Sequence, residues 1–289
     1  MKKVLSSLSY LLPDEIFLRI KYRMKFGKKL NLKNPKTFNE KIQWLKLHDR
    51  KDIYTKMVDK CEVKEYVASI IGEEYIIPTL AVYDKFDDIS FNKLPKRFVI
   101  KCTHDSGGII IVKDKNKLDI KNARKTINES LKRKYYYHGR EWPYKNVKPR
   151  IIIEKYMEDK KDGELRDYKM FCFNGHFEFM FIATNRYGDG ETYFDFFNRN
   201  FEHLPFANGH PNAPTLPHRP RNFDKMIELA EKLSNGVPQV RIDFYDVNGK
   251  IYFGEITFSH WSGMMPFEPE EWDRKLGDLI DLKIVERRR

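Results

Sequence analysis

Val240 to Thr257 reads as two strands joined by Asn248-Gly249, and this hairpin constrains the fold more than any other stretch. Asn-Gly is a strong signal for a type I′ turn, because both central residues must take positive φ. On the first strand Arg241, Asp243 and Tyr245 share a side, since side chains two apart point the same way. On the return strand Glu255 and Thr257 share a face. A two-residue turn makes Asp243 and Glu255 near cross-strand neighbours. Ile242, Phe244, Phe253 and Ile256 flank them and point to a central hairpin. Two adjacent carboxylates repel, so something positive is expected between them. Mg²⁺ fits, being a hard cation held by one or two carboxylates plus substrate phosphates. The pair therefore points to a nucleotide site, against the plainer alternative of a solvated hairpin face.

The 289 residues suffice for one large domain or two to three subdomains, and 41% hydrophobic content supplies a core. A formal net charge of +12 suits anionic partners. Cys61, Cys102 and Cys172 are odd in number and widely spaced, and read as reduced cysteines of a cytoplasmic protein. No apolar run reaches the roughly 18 residues of a membrane-spanning helix. Ser6, Ser7 and Ser9 interrupt the apolar run after Met1-Lys2-Lys3, and no small-residue cleavage site follows, which argues against a signal peptide. The segment from Lys3 to Leu30 is basic and amphipathic. It suits a helix packed on its own domain, and also peripheral contact of residues 1–30 with the inner face of a membrane.

Thr37 is expected to cap a helix, with Glu40 completing a capping box. Asp52 to Ile71 reads as one or two helices, closed by Gly72. A short edge strand is expected at Tyr75–Leu80. Strands follow at Arg97–Cys102 and Ile109–Val112, then a helix at Asp119–Lys134, an aromatic loop at Tyr135–Lys148 and a strand from Arg150. Asp167 to Asn185 alternates as a hairpin about Asn174-Gly175. Glu191–Asn198 is a strand, residues 203–222 a loop or lid, Phe223–Leu233 a helix, and Pro269–Leu282 a closing helix. His203, His210 and His218 lack metal-ligand spacing. The expected class is α+β: a helical region at 1–75 precedes two α+β units at 76–157 and 158–289 that can clamp a ligand.

Two further motifs bear on chemistry. Lys101 ends a strand, and Ser106-Gly107-Gly108 follows. Glycine lets backbone N–H groups approach a phosphate, and lysine supplies a point charge. A plain hairpin turn explains the loop equally well. Glu154-Lys155-Tyr156-Met157 ends an apolar strand, where backbone groups can read the edge of an adenine and Lys155 can reach the base or a phosphate. An ordinary solvated strand end is the alternative.

In order and spacing, Lys101 with Ser-Gly-Gly, Glu-Lys-Tyr-Met, Asp167-Tyr168-Lys169, Arg241-x-Asp243 and Glu255-x-Thr257 together resemble the ATP-grasp superfamily. TFNEKIQWLKLHD, FVIKCTHDSGG, RDYKMFCFNG and VRIDFYDVNGKIYFGEITF more closely resemble the teichuronopeptide-biosynthesis (TupA-like) ATP-grasp family, from about Asn34 to the C-terminus. The resemblance implies an ATP-grasp fold holding ATP between two α+β subdomains. It implies carboxylate–amine ligation through an acylphosphate. Lys101 would hold the α/β-phosphate, and the Ser106-Gly107-Gly108 loop would cover phosphates. Glu154, Lys155 and Met157 would line the adenine site, Asp167 would lie near the ribose, and Lys169 would face phosphate. Asp243 and Glu255 would bind Mg²⁺, and Arg241 would stabilise oxyanion charge. Thr257 stands where many relatives have Asn, so a weaker hydroxyl ligand occupies the last metal position.

The implied setting is capsule or cell-surface polysaccharide assembly, joining an amino acid or other amine to a sugar acid or acidic polymer. A competing reading is a glycosyltransferase using a nucleotide sugar, but Asp87-Asp88 and Tyr187–Glu191 sit in loop-like contexts. A third is a basic, non-catalytic module. Nucleic acid is disfavoured as a partner because the clustered carboxylates would serve no purpose there.

Overall fold

The computed structural model describes residues 10–159, 165–186 and 190–286. Helix α1 (Asp14–Phe26) ends at Gly27, whose φ of 69° gives the left-handed cap. Helix α2 (Phe38–His48) begins with the expected capping box. Thr37 Oγ1 accepts from Glu40 N at 3.2 Å, and Glu40 Oε2 accepts from Thr37 N at 3.2 Å. Helices α3 (Asp52–Val58) and α4 (Glu62–Ile71) break at Asp59–Cys61.

The first sheet holds β1 (Thr79–Tyr83), β2 (Phe98–Cys102), β3 (Ile109–Val112) and, after α5 (Ile120–Leu131) and the short α6 (Tyr136–Gly139), β4 (Ile151–Lys155). Its order is β1-β4-β2-β3, antiparallel throughout. The edge strand expected at 75–80 thus begins four residues later than the sequence suggested. The aromatic segment 135–148 is not all loop, since it holds α6 and a 3₁₀ turn at Trp142–Tyr144. On one side of this sheet Phe98, Ile100, Cys102, Ile151 and Ile153 pack on Ala123 and Ile127 of α5.

The second sheet contains β5 (Asp167–Phe173), β6 (His176–Thr184), β7 (Tyr193–Asn198) and β8 (His203–Leu204). After α7 (Phe223–Ser234) come β9 (Gln239–Val247) and β10 (Lys250–Thr257), and α8 (Glu271–Asp278) follows. The order is β10-β9-β5-β6-β7-β8. The strand period of two splits it cleanly. One face carries Met170, Cys172, Met180, Ile182, Ile242 and Phe244 against α7 and α4. Each fully buried side chain of this kind contributes about 1.5–3 kcal/mol.

The opposite face changes character along the sheet. Glu255, Asp243, Lys169, Phe181 and Phe196 lie directly opposite one another on successive strands. The β7 end is aromatic and is covered by Phe38 and Ile42 of α2 and Leu276 of α8. The β9–β10 end is charged and faces the first sheet. Strand β9 is interior, whereas β10 is an edge, so the hairpin is only half central.

The β9–β10 turn has φ of 54° at Asn248 and 80° at Gly249, as a type I′ turn requires. A regular ladder from that turn would oppose Asp243 to Gly254 and send Glu255 to the Ile242 side. Instead the register shifts between Phe253 and Glu255, and Glu255 pairs with Asp243. A one-residue bulge at Gly254 therefore moves Glu255 onto the charged face. A Cβ at Gly254 would lie 3.1 Å from both the Asp243 carbonyl oxygen and Tyr245 Cε2.

Helix α1 buries Phe17, Leu18 and Tyr22 against Leu30, Leu32, Trp44, Met264 and Val285. Its other side leaves Ile16, Ile20 and Met24 exposed at a four-residue spacing. Among the described residues no helix is long and apolar enough to cross a membrane. Residues 1–9 of the basic N-terminal segment lie outside the described residues. The segment 203–222 is not wholly an open lid. Phe206 is buried, and Ala207 bridges to Glu268.

Candidate active site

The charged face of the second sheet and the inner face of the first enclose a cleft of about 250 Å³. From the first sheet come Val99, Lys101, Ile109, Ile111 and Glu154, with Ser106 from the glycine loop. From the second come Asp167, Lys169, Asp243, Tyr245 and Glu255. Lys60 and Lys64 close one side. A second pocket of about 270 Å³ adjoins it, sharing Ile77, Val99, Lys101, Ile111, Glu154, Leu165 and Tyr245. This pocket adds Lys113 and, from the end of β4 and the segment just past it, Lys155, Tyr156, Met157 and Glu158. An apolar slot with the Lys155–Glu158 segment at its rim thus opens into a compartment rich in ammonium groups.

Most of the residues expected from sequence meet here. Lys101, Ser106, Glu154, Asp167, Lys169, Asp243 and Glu255 line the cleft, and Lys155 and Met157 line the slot. Four do not line either. Gly107 and Gly108 pack toward α5, where a Cβ on Gly108 would fall 2.2 Å from Ser130 Oγ at a φ of 62°. Arg241 and Thr257 pair with each other two residues along the strands from Asp243 and Glu255.

The carboxylate pair is already neutralised by protein. Arg241 Nε donates to Asp243 Oδ1 at 2.6 Å, and Nη2 donates to Asp243 Oδ2 and Glu255 Oε1, each at 2.8 Å. Lys169 Nζ donates to Asp243 Oδ2. The positive charge that sequence reasoning assigned to Mg²⁺ is therefore supplied here by a guanidinium and an ammonium. Burial opposes ionisation of Asp243, but Arg241 and then Lys169 outweigh it and hold the carboxyl down to about 2. Thr257 Oγ1 reaches Glu255 Oε1 at 3.4 Å.

The Glu255 side chain is 43% exposed, so one hard-oxygen ligand faces the cleft beside a second. Among the described residues no group of three or more His, Cys, Asp or Glu is arranged to hold a metal. Two carboxylates are nonetheless the usual protein share of a Mg²⁺ site whose other ligands are water and phosphate oxygens. Glu255 is open to that ion, whereas both Asp243 oxygens are held by Arg241 and Lys169 and would have to exchange one of those contacts to bind it.

On the opposite wall, Glu154 bridges Lys101 at 2.7 Å and Lys64 at 2.5 Å. Burial again opposes ionisation, yet Lys101 and Lys64 keep the Glu154 carboxyl below its ordinary range. Desolvation in turn lowers the Lys64 ammonium. Asp167 is buried between Lys169, at 3.5 Å, and Arg186.

Lys60, Lys64 and Arg186 were not foreseen as site residues. Lys60 sits at the α3–α4 break, where its Nζ donates to the Asp105 carbonyl of the glycine loop. That Asp52 to Ile71 could split into two helices was the only sequence signal for it. The loop-borne alternatives fare differently. Asp87 pairs with Arg124 at 3.1 Å on the surface, and Tyr187–Asp189 lie outside the described residues.

The family model described as TupA-like ATPgrasp matches residues 40–281. The chain belongs to the TupA-like ATP-grasp family. No curated protein matches it. Among solved structures, the D-alanine–D-alanine ligase of Helicobacter pylori is similar at 14% identity and a TM-score of 0.42, over 80% of this chain and 60% of that one. The Bacillus anthracis D-alanine–D-alanine ligase complexed with ATP is similar at 13% identity and a TM-score of 0.43, over 80% and 66%. The ATP-grasp ligase PsnB, complexed with minimal precursor, Mg and ADP, is similar at 8% identity and a TM-score of 0.43, over 87% and 66%. The TupA-like chain thus spans about 60% of the length of the Helicobacter pylori ligase.

Proposed function

We propose that this TupA-like protein is an ATP-dependent carboxylate–amine ligase. The observation that carries the proposal is the apolar slot at Lys155–Glu158 running into a cation-rich cleft that ends on Asp243 and Glu255. ATP is a flat apolar base joined to a polyanion, and the two compartments match its two ends in order. In this assignment residues 76–157 and 158–289 form the two jaws, and 1–75 adds Lys60 and Lys64 to the phosphate side.

Adenine lies in the slot between Val99, Ile111 and Leu165, with its edge on the backbone of Lys155 to Met157 beside Glu154. Asp167 takes the ribose side. Lys101 and Lys169, from opposite sheets, bracket the phosphates, and the glycine loop reaches over them through Ser106. Asp243 and Glu255, with Thr257 behind, would hold Mg²⁺, which would screen the phosphate charge when bound. The substrate carboxylate attacks the γ-phosphate and ADP leaves, giving an acylphosphate; the amine then adds to the acyl carbon, loses a proton and expels inorganic phosphate. Little covalent chemistry is asked of the protein. Positioning and fixed positive charge do most of the catalysis. Arg241 stabilises the oxyanion of the acylphosphate and of the tetrahedral intermediate.

The acceptor proposed is a sugar acid or acidic polymer of capsule or cell-surface polysaccharide, and the amine an amino acid or related compound. The net charge of +12 suits an acidic acceptor. We place the protein in the cytoplasm, with α1 against an anionic membrane face. The exposed Ile16, Ile20 and Met24 beside Arg19, Arg23 and Lys25 support that contact.

The test is a screen of sugar acids with Mg-ATP and hydroxylamine, which traps an acylphosphate as a hydroxamate. Hydroxamate with stoichiometric phosphate release supports ligation. Release of UDP from a UDP-sugar, with no ATP turnover for any acid, would replace ligation with glycosyl transfer.

A further inference from the structure

We propose that His260 is a positioning residue for Arg241, fixing its guanidinium so that one N–H stays open to the oxygen that gains charge during phosphoryl and acyl transfer. This rests on the role assigned to Arg241 above. His260 lies just past β10, and its Nδ1 is 2.8 Å from Arg241 Nη1. Arginine stays protonated in proteins and can only donate. Nδ1 must therefore be the acceptor, which places the imidazole proton on Nε2.

The surroundings enforce that neutral tautomer. The ring is 5% exposed and lies 5.1 Å from the Phe171 ring, edge to face, and 5.4 Å from the Phe181 ring. Burial, then the Arg241 and Lys169 charges, holds the imidazole well below its ordinary value, and only Asp243 opposes them. Nε2 is buried with no partner among the described residues.

A donor count shows what the contact achieves. A guanidinium has five N–H groups. Nε is engaged by Asp243, Nη2 by Asp243 and Glu255, and Nη1 by His260. One Nη1 hydrogen has no protein acceptor among the described residues. The guanidinium is planar, so its bonds to Asp243 and Glu255 already fix the plane of that hydrogen, and His260, the only described contact on Nη1, anchors that end of the group within the plane.

The position of His260 is in turn set by α2. Trp261, Ser262 and Gly263 all have positive φ, at 48°, 58° and 57°. Non-glycine residues hold such backbone only where their surroundings over-determine it. Here Lys46 Nζ donates to the Ser262 carbonyl at 2.7 Å and to its Oγ at 2.8 Å, while Gln43 Nε2 donates to the Gly263 carbonyl at 2.7 Å. The clamp reaches from the N-terminal helices to the Arg241 guanidinium through one imidazole.

Two substitutions separate this role from simple packing. His260→Phe keeps an aromatic ring and removes the acceptor. His260→Asn places an amide oxygen close to the former Nδ1. The probes are Mg-ADP alone and Mg-ADP with aluminium fluoride, a mimic of the phosphoryl group in flight, titrated calorimetrically into the full chain. Both variants are expected to bind Mg-ADP as the wild type does. His260→Phe should lose on the order of tenfold of the extra affinity that aluminium fluoride confers, and His260→Asn should keep most of it. The imidazole ¹⁵N signals of the wild type should report the Nε2–H tautomer, whether or not either variant folds. Equal tightening in the wild type and His260→Phe, or a proton on Nδ1, overturns the His260 role alone. A wild type that binds no Mg-ADP overturns the ATP site and the His260 role together.

Discussion

Replacing Arg241 with methionine is expected to destabilise the protein by about 2–4 kcal/mol, and Mg²⁺ is expected to restore part of that loss. Arg241 is 8% exposed at its side chain and makes two hydrogen bonds to Asp243 and one to Glu255. Methionine keeps much of the volume and fills irregular space, so packing changes little. The loss is charge compensation beneath a carboxylate that is 1% exposed. Removing one partner of a buried ion pair costs about 3–5 kcal/mol, and Lys169 on Asp243 offsets part of it.

The acid limb gives a second readout. Asp243 titrates at about 2 in the fold against 3.8 unfolded. Its ionised form therefore stabilises the native state by about 2 kcal/mol above the unfolded value, and that contribution is lost as pH falls through the folded value. In Arg241→Met the folded value rises, so the variant should lose less stability in acid than the wild type. Urea unfolding at neutral pH and in acid, with and without Mg²⁺, measures both effects. A variant within about 0.5 kcal/mol of the wild type at neutral pH, with no response to Mg²⁺, would refute the assignment of Arg241 as the neutralising group.

Three other outcomes follow from the same geometry. Gly254→Val puts a branched side chain where a Cβ already lies 3.1 Å from backbone and ring, and opposes the bulge. It is expected to cost about 1–3 kcal/mol and to abolish Mg²⁺-dependent nucleotide binding, as read by calorimetry; unchanged Mg-ADP affinity would mean that Glu255 is dispensable. Lys101→Ala should weaken Mg-ATP binding by tenfold or more, about 1.4 kcal/mol, and normal turnover in that variant would remove the phosphate assignment. Gly108→Ala meets Ser130 Oγ at 2.2 Å with a positive φ, so it should lower the thermal midpoint, and an unchanged midpoint would show that the loop is free of α5.

The strands of the β9–β10 and β5–β6 hairpins were legible because their signals are local. Asn248-Gly249 and Asn174-Gly175 both have positive φ at each residue, as their turns demand. The bulge was not legible. A glycine inside a strand is compatible with a bulge or with ordinary pairing, and only the choice of bulge puts Glu255 beside Asp243. Arg241 was read as a catalytic group, yet its neighbour two residues along already implied an ion pair on one strand face. The pairing of β9 with β5 joins segments separated by all of β6 to α7, and no local pattern encodes it. The same holds for Lys64, whose partner Glu154 lies on another layer. Exposed-looking lysines on an N-terminal helix acquire a role only once the sheets are folded around them.

Thermal unfolding with Mg-ADP, Mg-ATP and a panel of UDP-sugars tests the nucleotide site most directly. At 100 times its dissociation constant a ligand adds about 2.7 kcal/mol, roughly 5 °C or more for a chain of this size. Stabilisation by the adenine nucleotides with Mg²⁺, reduced when Mg²⁺ is withheld, is the expected result. Stabilisation by a UDP-sugar with none from Mg-ATP or Mg-ADP would contradict the ATP site and the ligase assignment with it.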